Sequence, residues 1–488
     1  MKCIIKLFPE ITIKSKSVRL HFIKVLVKNI FTLFKKHGFL LFPIRHWDYI
    51  ELRIENDNLL SDIIRLLVFI PGIHQVLLVK EYFFNTINDI GKEVLVLNYD
   101  RLIGKCFCVR VKRRGRHNFT SQDVERYVGS CIKKNVSNTY VKLVNPEVTI
   151  FIEINENRFF VIVKRYQGLG GFPLGTQENV LSLFSGGFDS AVASYMLMRR
   201  GCKVSYCFFN FGATSNEIGV SRIANYLWNK FASSHKVQFF FINFVPIVNE
   251  IIQKVSASIT LIVLKRMMLR VASSIAIKYR IQALVTGESI GQVSSQTLTN
   301  LRLIDNAANI ITLRPLIAHD KEQIISLAKY IGVEKMVNMI PEYCSFFSKK
   351  PTARGIQVHV EQQEKKINVA ALNEVLTQVK IVDICDVILI NKQNLVEVDV
   401  EVTSKVGIGE IILDIRSQED QDIQPLNLAN IIIQKIPFYK LVSQFDKLNP
   451  NQIYLLYCNH GTISALQASY LYSRGFRNIK IYRPDKQN

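Results

Sequence analysis

No Cys-x-x-Cys pair occurs among the nine cysteines, which argues against a zinc ribbon and for reduced, cytoplasmic thiols. Acidic side chains are scarce: 40 Asp and Glu face 62 Lys and Arg, and the net charge of +22 favours a polyanionic partner such as nucleic acid. Long apolar runs are missing too. The most apolar helical stretch, Ile259 to Tyr279, is broken by Lys265, Arg266, Arg270 and Lys278, so it is not a membrane span. No charged-then-apolar leader is visible, since Met1 to Lys6 runs straight into a strand pattern. Internal repeats and low-complexity tracts are absent as well. What is present is apolar bulk: 48% of 488 residues is ample for several cores, and the length suits three or four domains of ~100–200 residues each.

The most informative stretch is Ser185-Gly186-Gly187-Phe188-Asp189-Ser190, between a strand pattern (Val180–Phe184) and a helix pattern (Ala191–Arg200) stopped by Gly201. Two glycines allow a tight turn that points successive amides at one oxyanion, and the helix N-terminus adds its dipole. The hydroxyls of Ser185 and Ser190 can donate to the same phosphate, whereas Asp189 would repel it and is expected to act through Mg²⁺. The Gly-Lys-Ser/Thr ending of a Walker A loop is lacking. The pattern resembles the PP-loop ATP pyrophosphatases, which adenylate a substrate oxygen and then displace AMP with a nucleophile. From Asn179 onward strands and helices alternate, which predicts a doubly wound parallel sheet.

Ahead of that loop, residues 1–60 alternate a strand (Lys2–Leu7), a helix (Val18–His37) and a strand pair around Phe42–Ile54. In residues 61–165 a strand opens into a basic cluster, Lys112, Arg113, Arg114 and Arg116, with His117 and Phe119 beside it, a combination suited to RNA. Ser121 is expected to cap the helix that follows, and Val148 to Val163 reads as a hairpin turning at Asn155–Asn157. Gln167 to Gly175, rich in glycine, reads as the clearest linker of the chain. Ile70–Ile73, Val109–Phe119 and Asn145-Pro146 resemble a THUMP domain, which implies tRNA binding, and residues 1–60 look like the ferredoxin-like unit that accompanies it.

Near the carboxyl end, Ile453–Tyr457 reads as a buried strand running into Cys458-Asn459-His460-Gly461-Thr462-Ile463-Ser464 and then a helix. A cysteine there faces converging amides that lower its pKa and stabilise a thiolate or persulfide. The segment resembles a single rhodanese domain, although His460 stands where an arginine is common. Cys3, Cys106, Cys108, Cys131, Cys202, Cys207 and Cys385 lie in strand or helix patterns and read as structural.

Thr286–Gln296, Arg314–Ile317, Asp320–Glu322 and Pro341–Cys344 match the pattern of tRNA 4-thiouridine synthetases, and the resemblance then covers essentially the whole chain. It implies an α/β multidomain protein: a ferredoxin-like unit (1–60), a THUMP domain (61–165), a PP-loop ATP pyrophosphatase domain (176–395) and a rhodanese-like domain (404–485). It also implies that Leu183, Phe184, Lys265, Gly287 and Gln296 contact ATP, joining Ser185, Gly186, Gly187 and Ser190. Cys458 would carry persulfide sulfur loaded by a cysteine desulfurase, and Cys344 would form a redox-active disulfide with it. The expected activity is ATP-dependent sulfur transfer to the uridine at position 8 of tRNA, with a thiazole-pathway sulfur carrier protein as a further partner. Two other readings stay open: a different PP-loop ligase, against which Cys458 argues, and a non-catalytic tRNA-binding protein, against which the complete Ser185–Ser190 loop argues.

Overall fold

The computed structural model describes residues 2–488 except 212–213, 339–350, 389–399, 417, 429–430, 459–463, 465–466, 469–470, 473–474 and 485–488. The chain divides into two compact units, Met1–Gln177 with Arg199–Gly201, and Glu178–Met198 with Cys202–Asn488.

The first unit is built on one sheet of eight strands: β1 (Lys2–Leu7), β2 (Ile44–Arg45), β3 (Tyr49–Arg53), β4 (Ile73–Phe83), β5 (Cys106–Arg114), β6 (Tyr140–Val141), β7 (Val148–Asn155) and β8 (Arg158–Gln167). Their order is β2-β3-β1-β4-β8-β7-β5-β6. The long β4 pairs antiparallel with β1 on one side and β8 on the other, so residues 1–60 and 61–165 share one sheet. Period-two alternation separates its faces. Cys3, Ile5, Val76 and Leu78 pack in one cluster with Ile23, Leu26 and Ile30 of helix Lys16–Lys36. Ile150, Ile152, Phe159 and Val161 pack with helices Ile87–Leu102 and Ser121–Asn135. The alternate residues Ile4, Leu77, Val79, Phe160 and Ile162 form a separate cluster on the opposite face. The 121–135 helix is capped by Thr120 rather than Ser121, because Thr120 and Asp123 form a reciprocal capping box.

The segment read as a linker is packed against its neighbours. Gly168 to Leu174 are buried and bonded in place: Gly168 N donates to His74 O (2.8 Å), Gly170 N to Ile73 O (2.7 Å) and Phe172 N to Arg199 O (2.9 Å). A Cβ on Gly168 would run into the Ile73 carbonyl oxygen, and one on Gly171 into that of Arg199. These glycines serve close backbone approach, a use that sequence does not distinguish from flexibility.

The second unit holds two sheets. The larger has β9 (Asn179–Leu183), β10 (Lys203–Asn210), β11 (Gln238–Asn243), β12 (Ala283–Val285), β13 (Ile311–Leu313) and β14 (Lys380–Asp383) in the order β13-β12-β9-β10-β11-β14. Five strands run parallel, and β14 adds antiparallel to the β11 edge, a departure from the wholly parallel sheet expected. The chain runs β9 to β10 to β11 in one direction and then returns to β12 on the other side of β9. That reversal makes a topological switch point between β9 and β12, where ligands of open α/β sheets bind. The smaller sheet is all parallel: β15 (Val402–Thr403), β16 (Ile411–Asp414), β17 (Ile433–Lys435), β18 (Tyr454–Tyr457) and β19 (Ile479–Tyr482), ordered β15-β19-β18-β16-β17. No helix among the described residues is long and apolar enough to cross a membrane.

Candidate nucleotide, sulfur and nucleic-acid sites

The Ser185–Ser190 loop leaves β9 at the switch point. Gly186 turns at φ +79°, and the following helix begins at Phe188, three residues earlier than its apolar pattern predicts, so Asp189 and Ser190 lie in its first turn. Ser185 Oγ and Ser190 Oγ are 3.3 Å apart, and Ser190 Oγ donates to Gly187 O at 3.2 Å. Leu183 closes β9, while the Phe184 ring is buried against Tyr206, so Phe184 offers a nucleotide only its backbone.

The loop after β12 folds directly onto this turn. A Cβ on Gly287 would come within 2.6 Å of the Asp189 carbonyl oxygen and 2.7 Å of Ser190 N, so only glycine permits the approach. Gln292 Nε2 donates to Asp189 Oδ2 at 2.9 Å, and Lys321 Nζ pairs with Asp189 Oδ1 at 2.9 Å. Gln296 is buried with its Oε1 unpartnered among the described residues, as is the adjacent Ser295 Oγ. A buried amide oxygen and a buried hydroxyl without partners are costly unless a ligand satisfies them. No group of three or more His, Cys, Asp or Glu that could hold a metal ion occurs among the described residues.

Lys265, Arg266 and Arg270 do not act together. Lys265 Nζ reaches Glu288 Oε1 at 2.7 Å, whereas Arg266 and Arg270 both pair with Glu364. Glu288 itself is buried. Desolvation alone would raise its pKa, but Lys265 and Arg314 overcome that and hold it at about 2. Gln292, Lys321, Glu288 and Arg314 are thus residues at the site that sequence reasoning did not single out, although all lie in or beside stretches it quoted.

On the sheet face of the first unit that carries Ile4 and Leu77 lies a cleft of about 780 Å³, lined among others by Lys6, Arg19, Trp47, Arg110, Lys112, Arg114 and Arg165. Alternation along β5 sends Arg110, Lys112 and Arg114 to this cleft. Arg113 turns away: its NH1 donates to Gly115 O at 3.1 Å and contacts His117 Nδ1 at 2.9 Å. With Nε2 of His117 against Glu156 O at 2.7 Å, the ring is a local brace in this arrangement. Arg114 is ion-paired with Asp48, and Arg116 is exposed beyond the strand end. Two cation–π pairs border the cleft, Arg19 over the half-exposed Trp47 (4.1 Å) and Arg165 over Phe151 (3.5 Å).

Cys458 follows β18, an inner strand of the five-stranded sheet. Its buried Sγ accepts from Ser464 N at 3.3 Å and lies 3.5 Å from Ser464 Oγ. Beside it, at the end of β16, Arg416 makes a buried bidentate pair with Asp414 (2.9 and 2.7 Å). Cys344 and His460 lie outside the described residues. Cys385, grouped with the structural cysteines by pattern, is exposed; desolvation and a hydrogen bond to Asp383 push its thiol up to about 11, which disfavours a reactive thiolate.

Comparison with known proteins agrees along the chain's length. The family described as thiamine biosynthesis protein (ThiI) matches residues 175–369, and the THUMP domain matches residues 84–164. The chain is 54% identical to the tRNA sulfurtransferase of Sodalis glossinidius over 484 residues, 99% of this chain and 100% of that protein. It is 51% identical to the tRNA sulfurtransferase of Escherichia coli O8 over the same span. Among solved structures it resembles a 4-thiouridine synthetase–RNA complex with bound ATP, with a TM-score of 0.67 and 26% identity across 78% of this chain and 99% of that one. The fold of PH1313 from Pyrococcus horikoshii is also similar, at a TM-score of 0.52 and 18% identity over 68% of this chain and all of that one. An ATP-suited loop at a switch point, a basic cleft and a cysteine at a strand end, carried in a chain matched end to end by such relatives, mark this protein as a member of the tRNA sulfurtransferase (4-thiouridine synthetase) family.

Proposed function

We propose that the chain activates a tRNA uridine with ATP and replaces its O4 oxygen with sulfur carried on Cys458. The carrying observation is the close approach of Gly287 to the Asp189–Ser190 backbone, reinforced by the bonds of Gln292 and Lys321 to Asp189, at the switch point of the larger sheet. In this reading Ser185, Gly186, Gly187 and Ser190 cradle the pyrophosphate, and Leu183, Phe184, Lys265, Gly287 and Gln296 hold the rest of the nucleotide. Mg²⁺, when bound, would neutralise pyrophosphate charge, and Asp189, whose carboxylate oxygens meet Gln292 and Lys321 here, would be the carboxylate to hold it.

The uridine O4 attacks the α-phosphorus and pyrophosphate leaves, so a poor leaving group becomes AMP. A persulfide on Cys458 attacks C4, the C4–O bond breaks and AMP departs. The Cys344 thiolate then attacks the sulfur of Cys458, the S–S bond breaks, and the outer sulfur stays on the uridine. The two cysteines end as a disulfide that an external thiol reduces. The hydrogen bond from Ser464 N supports negative charge on the Cys458 thiolate, the form that would take up sulfur from a donor persulfide.

We further assign residues 404–485, which carry β16 to β19 of the smaller parallel sheet, as rhodanese-like, with 1–60, 61–165 and 176–395 as the ferredoxin-like, THUMP and PP-loop parts. The basic cleft would take tRNA, position 8 would be its target, a cysteine desulfurase would load Cys458, and a thiazole-pathway sulfur carrier would be a second acceptor. Mass spectrometry of tRNA from cells with and without the protein tests the core reading: 4-thiouridine should vanish without it and return with the wild type but not with Cys458→Ala. Restoration by Cys458→Ala would refute the carrier role.

A further inference from the structure

Glu288 stands where three constraints meet. Its backbone is locked, because Gly287 lies against Asp189 and Ser190 and Thr286 N donates to Leu313 O of β13 at 3.0 Å. Both of its carboxylate oxygens are engaged: Oε1 by Lys265 Nζ at 2.7 Å, Oε2 by Arg314 Nε at 2.8 Å and by Thr286 Oγ1 at 3.1 Å. Arg314 in turn spends its remaining fork on Asp305, at 2.9 and 2.6 Å.

The charges balance as two carboxylates, Glu288 and Asp305, against two cations, Lys265 and Arg314. Arg314 therefore meets Glu288 through Oε2 only, which leaves Oε1 to hold the Lys265 ammonium. An ammonium has three donors, and one of those on Lys265 goes to Glu288. Lys265 rises from helix Thr260–Lys278, whose Leu261, Ile262, Val263 and Leu264 are in the core, so its backbone is fixed. What needs fixing is the flexible side chain, and only a rigid acceptor does that.

We infer that Glu288 is a positioning residue for the adenylation step: it aims the Lys265 ammonium at the phosphates of the nucleotide held by the Ser185–Ser190 loop, with Arg314 as its counterweight. This rests on the nucleotide reading of the loop given above. Glu288 touches no reacting atom; it acts through Lys265.

The alternative is a buried ion cluster that merely holds the fold, and a double-mutant cycle separates the two. Steady-state kcat and KM for ATP are measured on the full-length protein with saturating tRNA for Glu288→Gln, Lys265→Met and the double variant, together with tRNA affinity. Each single change is expected to raise KM for ATP about tenfold, the loss of one hydrogen bond to a charged group, with tRNA affinity unchanged. The double variant should be no worse than the poorer single. Glu288→Asp keeps the charge but withdraws the carboxylate by one methylene, and should give an intermediate KM; a wild-type value would overturn the inference. So would fold-losses that multiply in the double variant, since Glu288 would then act independently of Lys265. If instead Lys265→Met leaves KM for ATP unchanged, the nucleotide role of Lys265 itself fails, and the inference falls with it.

Discussion

Gly287→Ala puts a methyl group where backbone already lies. Its carbon would fall within 2.6 Å of Asp189 O and 2.7 Å of Ser190 N, against a floor near 3.0 Å for real contacts. Neither neighbour is a side chain that can swing aside, so the β12 loop or the first turn of the helix at Phe188 must retreat by several tenths of an ångström. Overpacking of this kind costs roughly 1–3 kcal/mol of stability. The functional cost is steeper, because a displacement approaching 1 Å at a reacting centre loses up to ~100-fold in rate. Gly291→Ala is the matched control: its φ of +75° makes the substitution strained, but nothing lies within 4 Å of the new carbon. It should lose about 1–2 kcal/mol from the left-handed backbone without moving the loop. Both variants are then compared by thermal unfolding and by tRNA-dependent pyrophosphate release over a range of ATP concentrations. The expected result is similar melting losses, with kcat/KM for ATP falling ~10–100-fold in Gly287→Ala alone. Wild-type kcat/KM in Gly287→Ala, or an equal fall in Gly291→Ala, would refute the claim that this contact shapes the proposed nucleotide site.

The Glu288 carboxyl has its pKa depressed from 4.5 to about 2, so its ion pairs stabilise the fold fully above pH 4.5 and progressively less as pH falls toward 2. At ~1.4 kcal/mol per pH unit that gap is worth about 3 kcal/mol, so the stability difference between wild type and Glu288→Gln should shrink over that window; a constant difference would count against it. Asp189→Ala should abolish tRNA-dependent pyrophosphate release while leaving gel-shift affinity for tRNA intact, and loss of binding with normal turnover would reverse the assignment. Lys112→Ala and Arg110→Ala should each flatten the slope of log K against log salt for tRNA by about 0.7–0.9. Arg113→Ala, which removes the contact to His117, should lower thermal stability and leave that slope unchanged. Peptide mapping after one turnover without reductant should find Cys344 joined to Cys458, and full multiple-turnover activity in Cys344→Ala would end its resolving role.

Local chemistry was legible in the sequence where it is written locally. The strand Lys2–Leu7 falls where its strand pattern places it, and the turn at Glu156 matches its hairpin reading, with Glu156 itself at φ +54°. The loop Ser185–Ser190 announced itself because strand, glycines and helix are contiguous. Glu288 could not be read in the same way: its partners are 23 and 26 residues distant, and no period links a strand-end glutamate to a helix lysine. The divergence of Arg113 from Lys112 and Arg114 was available from strand alternation, but a run of like charges hides it. The glycines of 168–175 read as a linker, but the sequence does not show that two of them serve close backbone approach.

That last segment has a consequence for how the protein can be taken apart. The amides of Phe172, Gly175 and Gln177 donate to the carbonyls of Arg199 and Gly201, which arrive from beyond the end of the first unit's own continuous stretch. A fragment ending at residue 177 would leave those amides without acceptors and take the Arg200 guanidinium off the Phe172 ring. The first unit is therefore not a cassette to be grafted by a single cut: a transplant needs the chain as far as Gly201, and so takes the Ser185–Ser190 turn along with it.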